Sequence, residues 1–232
     1  MPKMQKLKLK QKGKKKEIVI AEQKSRAAQK VALHALQKQL QILKLKEYLL
    51  LIGFTLGGAL LRIPMQEVPS AEPITFFALL AGWLFGKKKG FLVGATSGYI
   101  SNFFMFGGQG PWTPFQMLGW GIAGYLGGFL KKDSKLFSVI GVTLIATLAF
   151  EIIMNSITPL MTGGNIFLVF LLALPFTLVH IASNLIFCLF LPKVKKLVLE
   201  KGGLDDKELC IDLINKLKRN FKWMLPGKGA AK

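Results

Sequence analysis

The most constraining feature of this sequence is the separation of its charges from its apolar residues. Between Tyr48 and Pro192 charged residues are few, and most of them lie between apolar runs long enough to cross a bilayer. The segments on either side hold most of the lysines. A chain with 51% hydrophobic residues and a formal net charge of +20 must place its apolar residues and its charged residues in different surroundings. The pattern predicts a polytopic membrane protein with basic cytosolic ends.

Six apolar segments predict an all-α membrane protein, a six-transmembrane-helix bundle. They lie at about residues 48–64, 73–87, 90–107, 113–131, 136–160 and 166–191. The connecting loops alternate between two kinds. Loops that are acidic or uncharged alternate with loops that carry Lys87, Lys88 and Lys89, then Lys131, Lys132 and Lys135. Because positive loops stay in the cytosol, we expect a multi-pass protein of the plasma membrane with cytosolic amino and carboxyl termini.

Composition shifts divide the chain into four parts. Residues 1–16 are predicted to be a basic disordered arm, because a lysine tract repels itself. Residues 17–47 are predicted to form a cytosolic amphipathic helix, residues 48–192 the six-helix transmembrane substrate-binding domain, and residues 193–232 a basic cytosolic tail with one helix. The chain therefore consists of a membrane bundle with amphipathic cytosolic extensions.

Each extension has one apolar stripe that needs a partner. In the amino-terminal helix the stripe comprises Leu33, Leu36, Leu40 and Leu43, and its partner is either the inner leaflet or a cytosolic protein helix. In the tail, residues 204–224 are predicted to form a helix that Asp205 and Asp206 open. Its stripe comprises Leu213, Leu217 and Phe221. This second helix is expected to lie on the membrane or against the first.

Small residues within the apolar segments predict close helix contacts. Gly53 and Gly57 form a G-x-x-x-G pair in the first segment, and Gly90, Gly94 and Gly98 form a second stripe in the third. The first pair serves either the packing of the bundle or the docking of a partner membrane protein.

Polar residues at membrane depth are the sharpest functional signal, because burying them in hydrocarbon costs several kcal/mol without a partner. Thr147, Glu151 and Asn155 share one face of the fifth segment, and Thr177, His180 and Asn184 share one face of the sixth. A planar or bulky ligand is expected in one outward-facing cavity, lined by Asn102, Trp112, Gln116, Trp120, Glu151, Asn155, His180 and Asn184. The alternative is that His180 is an interhelical hydrogen-bonding residue with Glu151 as its structural partner.

Catalysis is not indicated. The sequence contains no nucleophile-and-base signature, no H-E-x-x-H motif and no phosphate-binding G-x-x-x-x-G-K-[ST] motif. No cluster of His, Cys and carboxylate residues suggests a metal site. The basic charge is explained by a membrane surface at least as well as by nucleic acid, since no nucleic-acid-binding motif accompanies it. We therefore expect no enzyme activity, no cofactor or metal in this chain, and no nucleic-acid partner.

Two stretches resemble a known family. EPITFFALLAGWLFGKKKGFLVGATSGYISNFFMFG, residues 72–107, and GPWTPFQMLGWGIAGYLGG, residues 110–128, are similar to the substrate-binding S component of energy-coupling factor vitamin transporters, within them to the cobalamin-type branch. The resemblance covers roughly residues 48–192. It implies a six-helix bundle with cytosolic termini that binds a vitamin near the outer face and takes its energy from two ATPase subunits through a membrane coupling protein.

The resemblance also implies roles for single residues and a ligand class. Gly53 and Gly57 match the small-x-x-x-small pattern with which such proteins dock their first helix onto the coupling protein, although glycine stands where alanine is more familiar. Cobalamin or a related corrinoid is the favoured ligand, with another vitamin, a queuosine precursor or a metal chelate as alternatives. A function of a different class is the alternative: a membrane scaffold or assembly factor that acts through its basic cytosolic extensions.

Overall fold

The computed structural model describes the backbone of residues 2–204 and 206–223, and side chains at residue 17, residues 20–204 and residues 206–219. In this part of the chain all the regular structure is α-helical. The helices are α1 (Pro2–Met65), α2 (Ile74–Phe85), α3 (Lys87–Asn102), α4 (Thr113–Gly127), α5 (Leu136–Thr162), α6 (Ile166–Cys188), α7 (Leu191–Gly202) and α8 (Asp206–Trp223). The predicted all-α class is confirmed.

Three stretches of helix are long and apolar enough to cross a membrane. They are Ile20–Met65, Leu136–Thr162 and Ile166–Gly202, the last of which runs through α6 and α7. Helix α2 is apolar but has only 12 residues, and α3 and α4 have 16 and 15. At 1.5 Å per residue these three are about 18–24 Å long, which is short of a hydrocarbon core of about 30 Å. Three helices among the described residues thus indicate a membrane protein, and α2, α3 and α4 are each shorter than the hydrocarbon core.

The chain divides into two compact units, Met1–Leu45 with Gly203–Lys232, and Lys46–Gly202. In the first unit, the leucine stripe of α1 packs against α8. Leu43 and the half-buried Leu33, Leu36 and Leu40 surround Cys210 and Ile214, and the Cys210 Sγ donates a hydrogen bond to the Leu36 carbonyl at 3.2 Å. Of the two partners predicted for this stripe, the structure shows a protein helix, which comes from the same chain.

The extensions differ from the sequence prediction in where their helices begin and end. Helix α1 is continuous from Pro2 to Met65, where a disordered arm and then a separate helix were expected. Lysine, glutamine, leucine and alanine all favour helix, and no proline interrupts α1 before Pro64. The tail holds two helices, α7 and α8, where one was expected.

The buried stripe of α8 also differs from the predicted one. Cys210 and Ile214 are buried, whereas Leu213 is 38% exposed and Leu217 is half-buried. Asp205 and the side chain of Phe221 lie outside the described residues. Because neighbouring apolar positions on a short helix differ by about 100° of rotation, the sequence pattern alone allowed either stripe.

Glycines hold α2, α3 and α4 together in the second unit. A Cβ atom added to Gly90 would lie 2.3 Å from the Gly124 carbonyl oxygen, and one added to Gly94 would lie 2.1 Å from the Trp120 carbonyl oxygen. At Gly98 the same atom would meet the Trp120 ring at 2.2 Å. The predicted close contacts of the second glycine stripe are therefore confirmed, with α4 as the partner helix.

The first glycine pair does not act as one surface. A Cβ atom at Gly57 would lie 3.1 Å from the Phe77 ring of α2, so this glycine belongs to the internal packing. Gly53 is exposed, and a Cβ atom there would meet no atom of the described chain within 4 Å. One glycine of the pair therefore packs inside the bundle and the other faces outward.

Lysines in and beside the connections α2–α3, α4–α5 and α6–α7 lie at one end of the second unit. Lys89 forms an ion pair with Glu47, and the Trp83 Nε1 donates a hydrogen bond to the Lys131 carbonyl at 2.7 Å. The ammonium of Lys195 lies 4.2 Å from the centroid of the Trp83 ring. The α1–α2 and α3–α4 connections meet at the other end, where the Phe106 amide donates to Gln66 Oε1 at 3.2 Å. These lysines and the α1–α2 and α3–α4 connections therefore lie at opposite ends of the second unit.

Candidate functional site

A buried arginine forms the centre of one polar network. Arg62, in the last turn of α1, is 7% exposed. Its Nη1 donates to Ser101 Oγ at 2.9 Å and to Asn102 Oδ1 at 2.8 Å, and its Nη2 donates to Glu72 Oε1 at 3.2 Å. The guanidinium also lies 4.7 Å from the centroid of the Trp120 ring. The planar fork of arginine suits this set of divergent acceptors.

Asn102 carries the network from α3 to α4. Its Nδ2 donates to Gln116 Oε1 at 2.8 Å and to Thr113 Oγ1 at 3.3 Å, and the Gly110 amide donates to the same threonine oxygen at 3.0 Å. We call Arg62, Glu72, Ser101, Asn102, Thr113 and Gln116 the Arg62 network. It joins the ends of α1 and α3 to the start of α4.

A cavity of about 230 Å³ lies beside this network, in contact with Arg62 and Glu72. Its other walls come from residues 65, 66 and 68–71, at the end of α1 and before α2, and from residues 105–107 after α3. Ser70 in the first connection has a φ of 63°, a left-handed conformation that is uncommon for serine. We call this space the loop cavity; it offers one cationic side chain, Arg62, and one anionic side chain, Glu72, in a lining that also includes Gln66 and Ser70.

A second polar network joins α5 to α6. The Glu151 Oε1 and the His180 Nδ1 are 2.6 Å apart, and Oε2 accepts from Thr177 Oγ1 at 2.7 Å and from Asn155 Nδ2 at 3.2 Å. One turn further along α6, the Asn184 Nδ2 donates to Thr147 Oγ1 at 2.9 Å. The two polar faces predicted from helical periodicity do meet, and Glu151 and His180 are direct partners.

Aromatic rings connect the two networks. The fully buried Trp120 lies between Arg62 and Phe150, with 4.9 Å between the two ring centroids. The Phe150 ring in turn meets the His180 ring edge to face, at 5.3 Å and 89°. A line of contacts thus runs from the Arg62 guanidinium to the His180 imidazole through packed rings.

Polar atoms without a hydrogen-bond partner are concentrated along this line. In the part of the chain that the structure describes, they include Arg62 Nε, Glu72 Oε2, Trp120 Nε1, His180 Nε2 and Asn184 Oδ1, all of them buried. Leaving a buried polar group unpaired costs about 1–3 kcal/mol. Such a cluster is typical of a region shaped for function and not for stability alone.

The structure separates residues that the sequence placed around one cavity. Glu151 and Asn155 line a second cavity, between α5 and α6, while His180 and Asn184 are buried behind it. Asn102 and Gln116 belong to the Arg62 network, and Trp120 is part of the core. Trp112 is half-buried with its ring against Gly110. Neither of these two cavities is lined by Trp112, Gln116 or Trp120.

Sequence reasoning missed Arg62 and Glu72 as site residues. The available signal was an arginine near the end of the first apolar segment, because a charge at membrane depth is rare and usually faces a bundle interior or a cavity. Among the described residues no group of three or more His, Cys, Asp or Glu side chains could hold a metal ion.

Comparison with protein families places the second unit's sequence in a family. A family described as a family of unknown function, DUF6580, matches residues 43–202. This range is more than half of the chain, and the protein belongs to this family. The match includes the whole Lys46–Gly202 unit and leaves out most of the other unit. No curated protein and no solved structure matches the chain.

Proposed function

We propose that this protein is the membrane-embedded substrate-capture subunit of an energy-coupling-factor-type importer. In this proposal the membrane contains six helices, both termini are cytosolic, and a vitamin or related micronutrient binds on the outer side. The observation that carries it is the Arg62 network beside the loop cavity, a charged and hydrogen-bonding site at one end of an apolar bundle. The lysines cluster at the other end, which by the positive-inside rule is the cytosolic one.

The loop cavity favours a ligand smaller than a corrinoid. Its volume of about 230 Å³ is below the range of about 300–1,000 Å³ that is usual for sites of drug-sized ligands. A corrinoid, the ligand favoured by the sequence resemblance, requires residues 65–72 to move outward. A small solute with both donor and acceptor groups suits Arg62 and Glu72 without such a movement.

The direct test is mass spectrometry of small molecules retained by the protein after purification in mild detergent. We expect a defined polar molecule on the unaltered protein. Gln116→Ala should reduce its retention by about ten-fold or more, because the Asn102 amide loses its best acceptor and no longer holds the network in place.

Gln109→Ala is the matched control for this variant. Gln109, in the connection before α4, is likewise a hydrogen-bonding glutamine, but its Nε2 donates to the Tyr99 carbonyl, outside the Arg62 network. Retention should stay unchanged there. An unaltered protein that retains no molecule, or equal retention in both variants, argues against the proposed site.

The coupling protein is proposed to dock on the outward face of α1, and the structure divides the two glycines expected to form that contact. Gly53→Leu should reduce co-purification of the partner while the melting temperature stays unchanged, because this position is open. Gly57→Leu should lower the melting temperature, because its side chain must displace the Phe77 ring. Partner recovery and thermal unfolding are measured on the same preparations. Undiminished recovery with Gly53→Leu excludes docking at this face.

A scaffold or assembly factor is the second candidate. It is favoured by the compact unit that the two extensions build around Leu43, Cys210 and Ile214, since most of this unit lies outside the family match. In that function the membrane bundle is an anchor. The retention experiment separates the two candidates, because an anchor needs no bound solute.

A further inference from the structure

The second cavity described above, between α5 and α6, is distinct from the loop cavity. We call it the α5–α6 groove. It has a volume of about 390 Å³, and three polar side chains at its base, Glu151, Asn155 and Thr177. Its remaining walls are apolar and comprise Leu148, Ile152, Phe167, Phe170, Leu171 and Leu174. Both helices that form it are apolar and long enough to cross a membrane.

The groove opens outward from α5 and α6, and in a bilayer that these two helices cross it would face the hydrocarbon. Phe167 is 84% exposed and Leu171 is 62% exposed, so the walls face outward from the bundle. Glu151 lies about 22 Å along a helix about 40 Å long, which places the polar base near the middle of the membrane. In such a bilayer a molecule would reach this base sideways, from the lipid.

The base has room for one more hydrogen-bond donor. A carboxylate offers about four acceptor positions. In the described structure His180, Thr177 and Asn155 occupy three of the acceptor positions of the Glu151 carboxylate. The Glu151 side chain is 13% exposed. An acidic head group is repelled by this carboxylate, and a saturated hydrocarbon leaves the base unpaired. A neutral hydroxyl can donate to it at little desolvation cost.

We propose that the α5–α6 groove is a lateral binding site for a membrane-soluble long-chain alcohol. The alkyl or isoprenoid chain lies along the apolar walls, and the hydroxyl donates to the Glu151 carboxylate. The site is independent of the proposed import function, since it shares no lining residue with the loop cavity. The experiment that tests this site measures contact with the ligand and does not measure transport.

The test uses the full chain in phosphatidylcholine vesicles with two photoreactive probes. One is hexadecanol carrying a diazirine in its chain, and the other is the methyl ether of the same molecule, which cannot donate a hydrogen bond. We expect the alcohol to label peptides from residues 148–155 and 167–177 about ten-fold more than the ether, because a hydrogen bond to a charged acceptor is among the stronger ones. Equal labelling by both probes shows annular lipid only and overturns the proposal.

Two tryptophan variants locate the contact. Leu174→Trp fills the groove and should reduce labelling by the alcohol several-fold. Leu178→Trp introduces the same side chain one turn away, at a position that is 61% exposed and does not line the groove, and should leave labelling unchanged. Both positions face outward, so neither variant is expected to disturb the core. Equal labelling in the two variants overturns the assignment of the groove.

Discussion

Arg62→Ala is expected to abolish small-molecule retention and to reduce the free energy of unfolding by about 3–5 kcal/mol. The substitution removes three hydrogen bonds and the contact with the Trp120 ring, and it leaves the Glu72 carboxylate without its cation. Breaking a buried pair from one side is costly because the remaining charge stays poorly solvated. Retention is measured by mass spectrometry and stability by thermal unfolding in detergent.

A second substitution separates the effect on stability from the effect on binding. Adding Glu72→Gln to Arg62→Ala removes the stranded charge, so part of the lost stability should return while retention stays lost. Lys88→Ala removes an exposed lysine near the other end of the bundle and should change neither quantity. If Arg62→Ala retains the small molecule as fully as the unaltered protein, Arg62 is not part of the binding site, whatever the stability of the variant.

Helical periodicity predicted the two polar faces that meet between α5 and α6, and it left a direct contact between Glu151 and His180 as the alternative to a ligand cavity. Thr147 and Glu151 recur one turn apart on α5, as do His180 and Asn184 on α6, and polar groups at membrane depth need each other as partners. The structure shows the contact between Glu151 and His180, and it adds one between Thr147 and Asn184 that the sequence analysis did not name. What periodicity did not give is the separation of this network from Asn102 and Gln116.

The Arg62 network was not predictable in the same way. Arg62 meets Ser101 and Asn102 about forty positions further along the chain, and no repeat in the sequence relates them. The loop cavity is lined by irregular connections, whose conformations depend on tertiary contacts such as that of Phe106 with Gln66. Sequence reasoning finds polar faces on helices more readily than polar clusters at helix ends.

The rotation of a helix about its own axis is a further feature that the sequence does not determine. The G-x-x-x-G spacing of Gly53 and Gly57 shows that a close contact is possible, but not which of the two glycines makes it. The structure places Gly57 against Phe77 and leaves Gly53 open. The same ambiguity explains the stripe of α8, where Cys210 and Ile214 pack instead of Leu213.

Gly124→Ala is expected to destabilise the bundle by at least about 3 kcal/mol, at the upper end of what overpacking usually costs. The added Cβ would lie 2.0 Å from the Gly90 carbonyl oxygen, and backbone atoms in two packed helices cannot move aside as a flexible side chain can. Thermal unfolding in detergent should show a large fall in melting temperature. Ligand retention should fall with it, because α3 and α4 carry Asn102 and Gln116 to each other.

Gly141→Ala is the matched control for that substitution. Gly141 lies in α5, and a Cβ atom there would meet no atom of the described chain within 4 Å. Since alanine favours helix over glycine by up to about 1 kcal/mol, this variant should be equally stable or slightly more stable. The two variants add the same single methyl group to a helical glycine, so their difference measures the contact between α3 and α4. Equal melting temperatures in the two variants exclude that contact. They also exclude the conclusion that packing of α3 against α4 positions the Arg62 network.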